Sequence, residues 1–320
     1  MKKKFILLTL LVGFCFTLSA QNYRNRYSMK LTPTENGNYK LTSETDIRSL
    51  VNNLDSLPDL YTPYNVPYFR INDTDIKTLR YTYTTENGTP LELEVDLPAK
   101  GKNHPFIVFI HGGGWNAGSM MSFRNPSQYM ASQGIAGVRV SYTLVPQGGT
   151  YPMVMEQIKQ ALAFLKKNNS ELNLNLELFG FCGSSAGAVL SGLAAMTIPG
   201  CKVLIGQDGA YDMVNTRERN FPSPTLKKKF FGSDDLQEMK KVSAIYNIPA
   251  NPPATLLMHG SADVVISCRE SEKLADILKK KNAIVECVIY KNYEHACTGY
   301  ADIYQDVVKK MTEFASLYLK

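Results

Sequence analysis

The sequence predicts an α/β fold: a mostly parallel central sheet with helices on both faces, preceded by an antiparallel hairpin. Three observations predict it. Apolar, strand-like runs alternate with helix-period segments from about residue 106 to the C-terminus. Two alternating segments, Thr78–Thr84 and Leu91–Leu97, flank Glu86-Asn87-Gly88-Thr89, and Asn-Gly is a strong hairpin-turn signal. The 320 residues, 44% apolar and 20% charged, can bury a sizeable core, which excludes a disordered, collagen-like or small disulfide-stapled chain.

The elements follow in order. Residues 1–20 read as a signal peptide. Lys2–Lys4 give a positive start, Phe5–Leu18 an apolar run, and Ser19-Ala20 small residues before Gln21. That run is shorter than the roughly 20 residues a membrane span needs, so no stable span is expected after cleavage. A periplasmic or secreted location is the expectation. Residues 21–75 read as a polar N-terminal extension with a short helix over Asp46–Leu57. Residues 76–320 read as the main domain. There the apolar runs Phe106–Ile110, Ile135–Tyr142, Leu176–Cys182, Lys202–Gly206, Thr255–His259 and Ile284–Tyr290 are expected strands. Ser127–Gln133, Met153–Lys167, Ala186–Met196, Ser267–Lys280 and Ala301–Leu319 are the expected helices, Pro152 suiting a helix start. Residues 211–252, with Pro222, Pro224, Pro249, Pro252 and Pro253, read as an irregular or cap segment near the site. Phe230, Phe231 and Tyr246 either wall the site or pack the core.

The formal charge is +6, from 35 Lys and Arg against 29 Asp and Glu, and Lys2–Lys4 carry three of those charges. Lys227-Lys228-Lys229, the longest other basic run, reads as solvated surface, so nucleic acid is not an expected partner. Beyond Cys15, five cysteines remain (Cys182, Cys201, Cys268, Cys287 and Cys297), so at least one thiol stays free in a monomer. No CxxC spacing points to zinc or redox chemistry. Cys182 and Cys287, in strand-like runs, fit buried small hydrophobes.

In such sheets function collects at the carboxyl ends of the strands. After Leu176–Cys182 comes Gly183-Ser184-Ser185-Ala186-Gly187, a G-x-S-x-G pattern between a strand and a helix. A sharp turn there strains the central residue, lifts the Ser185 hydroxyl clear of the sheet and sets it over a helix N-terminus. Glycine at both flanks is expected because larger residues would crowd the Ser185 Cβ. After Phe106–Ile110 comes His111-Gly112-Gly113-Gly114-Trp115. Backbone N–H groups of Gly112 and Gly113, with that of Ala186, are the expected oxyanion donors. Gly260-Ser261-Ala262-Asp263 and Asn292-Tyr293-Glu294-His295 follow two later strands. The order Ser185, Asp263, His295 is the Ser–acid–His order of this fold. His295 would take the serine proton and Asp263 would fix the imidazole tautomer. Asp208 and Asp212 compete with Asp263 for the acid role. His111 reads as a loop-ordering residue and His259 as a hydrogen-bonded structural one. Trp115 and Tyr211 are expected substrate contacts.

Taken together these residues resemble the α/β-hydrolase superfamily, and more narrowly the esterase/lipase group with an HGGGW loop, including BD-FAE-type bacterial esterases. The resemblance runs from about Leu91 to the C-terminus. It includes Val138–Tyr142, Tyr151-Pro152, Gly183–Gly187, Pro253–Gly260 and Glu294-His295. Two positions depart from it: Glu156 stands where many relatives carry Asp, and Ala188 where Gly is frequent. The first seventy residues show no such likeness. The resemblance implies a serine triad needing no metal or cofactor, and acetyl or feruloyl esters, free or on a carbohydrate, as substrates. The same triad can cut amides, so a peptidase or arylformamidase-like activity stays open, as does a non-catalytic binding protein of this fold.

Overall fold

The structure is a computed structural model that describes residues 30–33, 39–42, 68–72, 74–215 and 221–320. The expected signal peptide, the helix over Asp46–Leu57 and most of the extension lie outside the described residues. Two short strands of the extension, β1 (Lys30–Pro33) and β2 (Tyr39–Thr42), pair with each other.

The hairpin at Asn87-Gly88 joins β3 (Ile76–Glu86) to β4 (Thr89–Pro98). Asn87 and Gly88 both take positive φ, 49° and 77°, as a two-residue turn of the primed kind requires. The remaining strands are β5 (His104–Ile110), β6 (Ala136–Val140), β7 (Leu174–Ser184), β8 (Val203–Gln207), β9 (Ala254–Gly260) and β10 (Val285–Tyr290). They form one eight-stranded sheet in the order β10-β9-β8-β7-β5-β6-β4-β3. Only the β3–β4 and β4–β6 pairs are antiparallel. The chain leaves β5 for β6 on one side and returns to β7 on the other. Loops leaving β5 and β7 therefore diverge from neighbouring strand ends, the topological switch point of an open parallel sheet.

The helices are α1 (Arg124–Ser132), α2 (Tyr151–Lys167), α3 (Asn169–Leu172), α4 (Ala186–Thr197), α5 (Pro224–Phe231), α6 (Leu236–Lys241), α7 (Arg269–Lys280) and α8 (Ala301–Tyr318). Ala186 to Met196 of α4 are all buried, as expected of a helix apolar on every face. The described residues of 211–252 are more regular than their prolines suggest. Ser223 caps α5, accepting from the N–H of Leu226, and Gly232 ends it at φ 75°. Asp235 caps α6, accepting from the N–H groups of Gln237 and Glu238. Proline sits in the first turn of α5, where its missing N–H costs nothing.

The antiparallel side of the sheet encloses a charge cluster. Arg139 on β6 is fully buried; its Nε lies 2.9 Å from Asp96 Oδ2, its Nη2 3.2 Å from Oδ1 and 2.6 Å from Glu94 Oε2. Thr78 (2.6 Å) and Ser127 donate their hydroxyls to the same Asp96. Gly137 faces Ser127, where a Cβ would meet the serine Oγ at 2.1 Å. Replacing one member strands its partners in the core. Arg139→Ala is expected to destabilise the fold by about 3–5 kcal/mol, measured as a lowered midpoint at unchanged slope in urea unfolding.

Candidate active site

The end of β7 turns into α4 at Ser185, whose φ of 55° and ψ of −121° lie outside the ordinary regions for a side chain with a Cβ. The flanking glycines are required, though not for the reason the sequence suggested. A Cβ on Gly183 would lie 2.3 Å from the carbonyl oxygen of Gly187, and one on Gly187 2.0 Å from that of Ile110. The crowding is thus backbone against backbone, between the elbow, the first turn of α4 and the end of β5, rather than against the Ser185 Cβ. The Ser185 N–H donates to the carbonyl of Gln207 on β8 (2.8 Å), which fixes the turn from the other side.

His295 follows β10 and Asp263 follows β9. The imidazole Nε2 lies 2.8 Å from Ser185 Oγ, and Nδ1 2.6 Å from Asp263 Oδ2. The other carboxylate oxygen of Asp263 accepts from the N–H groups of Val265 (2.8 Å) and Ile266 (2.9 Å). Burial by itself would raise Asp263, but the His295 charge and the hydrogen bonds from His259 and His295 hold it well below the usual carboxylate range. For His295, burial by itself would lower the pKa. The Asp263 charge and hydrogen bond outweigh that and raise it, with Asp208 and Glu294 acting in the same direction. A hydroxyl hydrogen-bonded to an imidazole that a carboxylate orients is the arrangement that makes serine nucleophilic.

Of the expected oxyanion residues, Ala186 directly follows Ser185 and Gly112 packs against it. Gly112 has no room for a side chain: a Cβ there would meet Ser184 O at 2.8 Å and Ser185 Cβ at 3.2 Å. Gly113, at φ 109°, would meet the carbonyl of Ala117 at 2.1 Å. Ala186 opens α4, so its N–H has no intrahelical acceptor. His111 stacks on Tyr142 at 4.3 Å and its Nδ1 lies 2.8 Å from the carbonyl of Gly112. Tyr142 Oη donates to the carbonyl of His111 (2.9 Å). Burial pushes the His111 pKa down to about 4, so the ring is neutral at ordinary pH.

Trp115 and Tyr211, expected as substrate contacts, are instead packed away from solvent, at 0% and 1% exposure. Trp115 adopts φ 57°, donates Nε1–H to the carbonyl of Ala186 (3.1 Å) and stacks on Phe230 at 4.4 Å. Phe221, Phe231 and Tyr151 complete an aromatic group, with Phe221 and Phe231 at 4.9 and 5.2 Å from the indole. Phe230 and Phe231 are therefore core residues. Tyr246 is 47% exposed, with Lys240 Nζ over its ring. The indole joins the loop bearing Gly112 and Gly113 to the helix bearing Ala186. Tyr211 fills the space left by Gly206 and Gly209. Of the competing acids, Asp212 pairs with Lys273, and Asp208 receives the N–H groups of Gly260 and Cys297.

This elbow and loop geometry on a switch-point sheet defines an α/β-hydrolase. A family model for BD-FAE matches residues 93–278, more than half of the chain, and the protein belongs to that family. It is 26% identical over 195 residues to a probable carboxylic ester hydrolase, LipM, of Mycobacterium tuberculosis, covering 55% of this chain and 45% of that protein. It is 24% identical over 228 residues to the isoprenylcysteine alpha-carbonyl methylesterase of Arabidopsis thaliana, covering 63% and 53%. The chain thus spans about half the length of these curated relatives. The propionate-bound esterase Est2 of Thermogutta terrifontis superposes with a TM-score of 0.65 at 22% identity, over 75% of this chain and 94% of that one.

Two outcomes follow from the geometry. Only neutral His295 can accept a proton, and its pKa is raised, so the acid limb of kcat/KM should lie above pH 6.5, the ordinary histidine value. A profile flat down to pH 4 would exclude His295 as base. Trp115→Ala should destabilise the fold by roughly 3–5 kcal/mol in urea unfolding. It should also lower kcat more than it changes KM, because the glycine loop and the first turn of α4 lose the indole that joins them.

Proposed function

We propose that the protein is a serine esterase that hydrolyses short-acyl carboxylic esters. The observation that carries this reading is the chain of contacts from Ser185 Oγ through His295 to Asp263, at 2.8 and 2.6 Å. Ser185 Oγ attacks the acyl carbonyl carbon while its proton passes to His295 Nε2. The N–H groups of Gly112, Gly113 and Ala186 receive the developing oxyanion; a single donor of this kind contributes roughly 2.7–4 kcal/mol to the transition state. His295 then delivers the proton to the departing alkoxide. In the second half, water gives a proton to His295 as its oxygen attacks the acyl carbon; the bond from that carbon to Ser185 Oγ then breaks, His295 returns the proton to Ser185 Oγ, and the acid is released.

An acetyl or feruloyl ester, on a small alcohol or a carbohydrate, is the substrate we infer. A relative over 91 residues at 30% identity is the acetyl esterase of Salmonella paratyphi B, covering 28% of each chain. The carbohydrate part rests on the signal-peptide pattern of residues 1–20, which points to a periplasmic or secreted enzyme. Ser185→Ala tests the reading. It should lower kcat on p-nitrophenyl acetate by about 10⁴–10⁶ and abolish labelling by a fluorophosphonate. Unchanged hydrolysis would sink the assignment. A panel of acetylated xylan, feruloyl esters, peptides and formyl amides should favour the esters, and a preference for amides would overturn that choice of substrate.

A further inference from the structure

We infer that Asp208 and His259 form a second buried acid–imidazole couple behind Ser185, His295 and Asp263, and that they are positioning residues which set the basicity of His295. The inference rests on the esterase reading above.

Asp208 directly follows β8. It is fully buried and holds a left-handed backbone at φ 49°. Its N–H donates to the carbonyl of Met258 (2.9 Å). Its Oδ1 accepts from the N–H of Gly260 (3.2 Å) and from the thiol of Cys297 (3.3 Å), and its Oδ2 from the N–H of Cys297 (3.1 Å). Gly260 closes β9 three residues before Asp263, and Cys297 lies two residues after His295. One carboxylate therefore ties the acid-bearing loop to the imidazole-bearing loop. The preceding residue, Gln207, holds the Ser185 turn through its carbonyl.

His259 lies one residue before the end of β9, and its side chain is completely buried. Its Nε2 is 2.8 Å from the carbonyl of Ile266 and 3.1 Å from Asp263 Oδ2. Both are acceptors, so Nε2 carries a hydrogen. Ser271 Oγ, 2.8 Å from Nδ1, fixes the other side of the ring. Asp263 Oδ2 is therefore shared between two imidazoles. Ligating atoms of Asp208, His259 and Asp263 all lie within 4.8 Å of one another.

The two members of the couple act on His295 with opposite sign. The Asp208 charge favours the imidazolium. An oxygen that also accepts from His259 is a weaker acceptor for His295, so His259 disfavours the imidazolium. Among the described residues, the charged groups bearing on His295 are Asp263 from the loop after β9, Asp208 directly after β8, and Glu294 beside it on its own loop. His259 acts across Asp263, and the Cys297 thiol, pushed up by burial and by Asp208, stays protonated. The His259 pKa is itself raised: burial opposes this, while Asp263 and Asp208 outweigh it.

The test is the pH profile of kcat/KM for p-nitrophenyl acetate in full-chain Asp208→Asn, His259→Phe and His259→Gln, each checked for folding by urea unfolding. Asp208→Asn is expected to move the acid limb to lower pH, and His259→Phe to higher pH, each by about 1 pH unit, a tenfold change in proton affinity. His259→Gln keeps one N–H donor and should return the limb toward the wild-type position. Should Asp208→Asn fail to fold, the two His259 variants decide. A limb that stays put in a folded variant, or movement of both in one direction, overturns the inference. Ser185-dependent hydrolysis with unmoved limbs would sink the couple alone, whereas hydrolysis that survives Ser185→Ala would sink the esterase reading beneath it.

Discussion

The first turn of α4 lies so close to the end of β5 that no side-chain atom fits between them. A Cβ on Gly187 would fall 2.0 Å from one main-chain oxygen of β5 and 2.6 Å from that of His111. This contact holds the Ser185 turn against the glycine loop, and the rest of the site is arranged around it. Relaxing it would let the strained φ of Ser185 return to an ordinary value and carry the hydroxyl away from His295. The strain persists because the surroundings over-determine it: the sheet fixes β5 and β7, the buried α4 cannot retreat, and Gln207 receives the Ser185 N–H.

Three loops then have to meet this turn, and each is anchored by buried polar contacts. The loop after β5 is held by His111 on Tyr142 and by Trp115 on α4. The loops after β9 and β10 are held to each other by Asp208. Such contacts are costly when half-made and specific when complete. That explains why the site's surroundings are rich in buried polar groups. The aromatic group around Trp115 extends the same logic outward. Phe230 and Phe231 of α5 press on the indole, so α5 buttresses the glycine loop from behind.

Much of this was legible because local chemistry is written in short spacings. Asn87-Gly88 specified the hairpin, and the apolar runs specified the buried strands, with ends within two residues of the observed ones. Gly183, Ser185 and Gly187 are legible because a strand-to-helix elbow permits few residue types. Trp115 and Tyr211 were misread for one reason: an aromatic beside a functional loop has the same local signature whether it faces a ligand or the core. Only the neighbours supplied by α5, and the space at Gly206 and Gly209, decide that. The helices in residues 211–252 were obscured because their caps, Ser223 and Asp235, sit among proline and polar residues that read equally well as loop.

The sequence by itself determined the order of elements, the elbow, the glycine loop and the candidates for each role, because these rest on local backbone sterics and hydrophobic period. Only the tertiary structure decided between Asp208, Asp212 and Asp263, which all follow strands and carry the same functional group. The choice turns on which carboxylate lies within bonding distance of His295, and that distance spans 32 residues of chain between Asp263 and His295. The decision that His259 and Asp208 stand behind the site is of the same kind. Contacts between strand ends far apart in sequence are fixed by sheet order and register, which no short stretch of residues encodes.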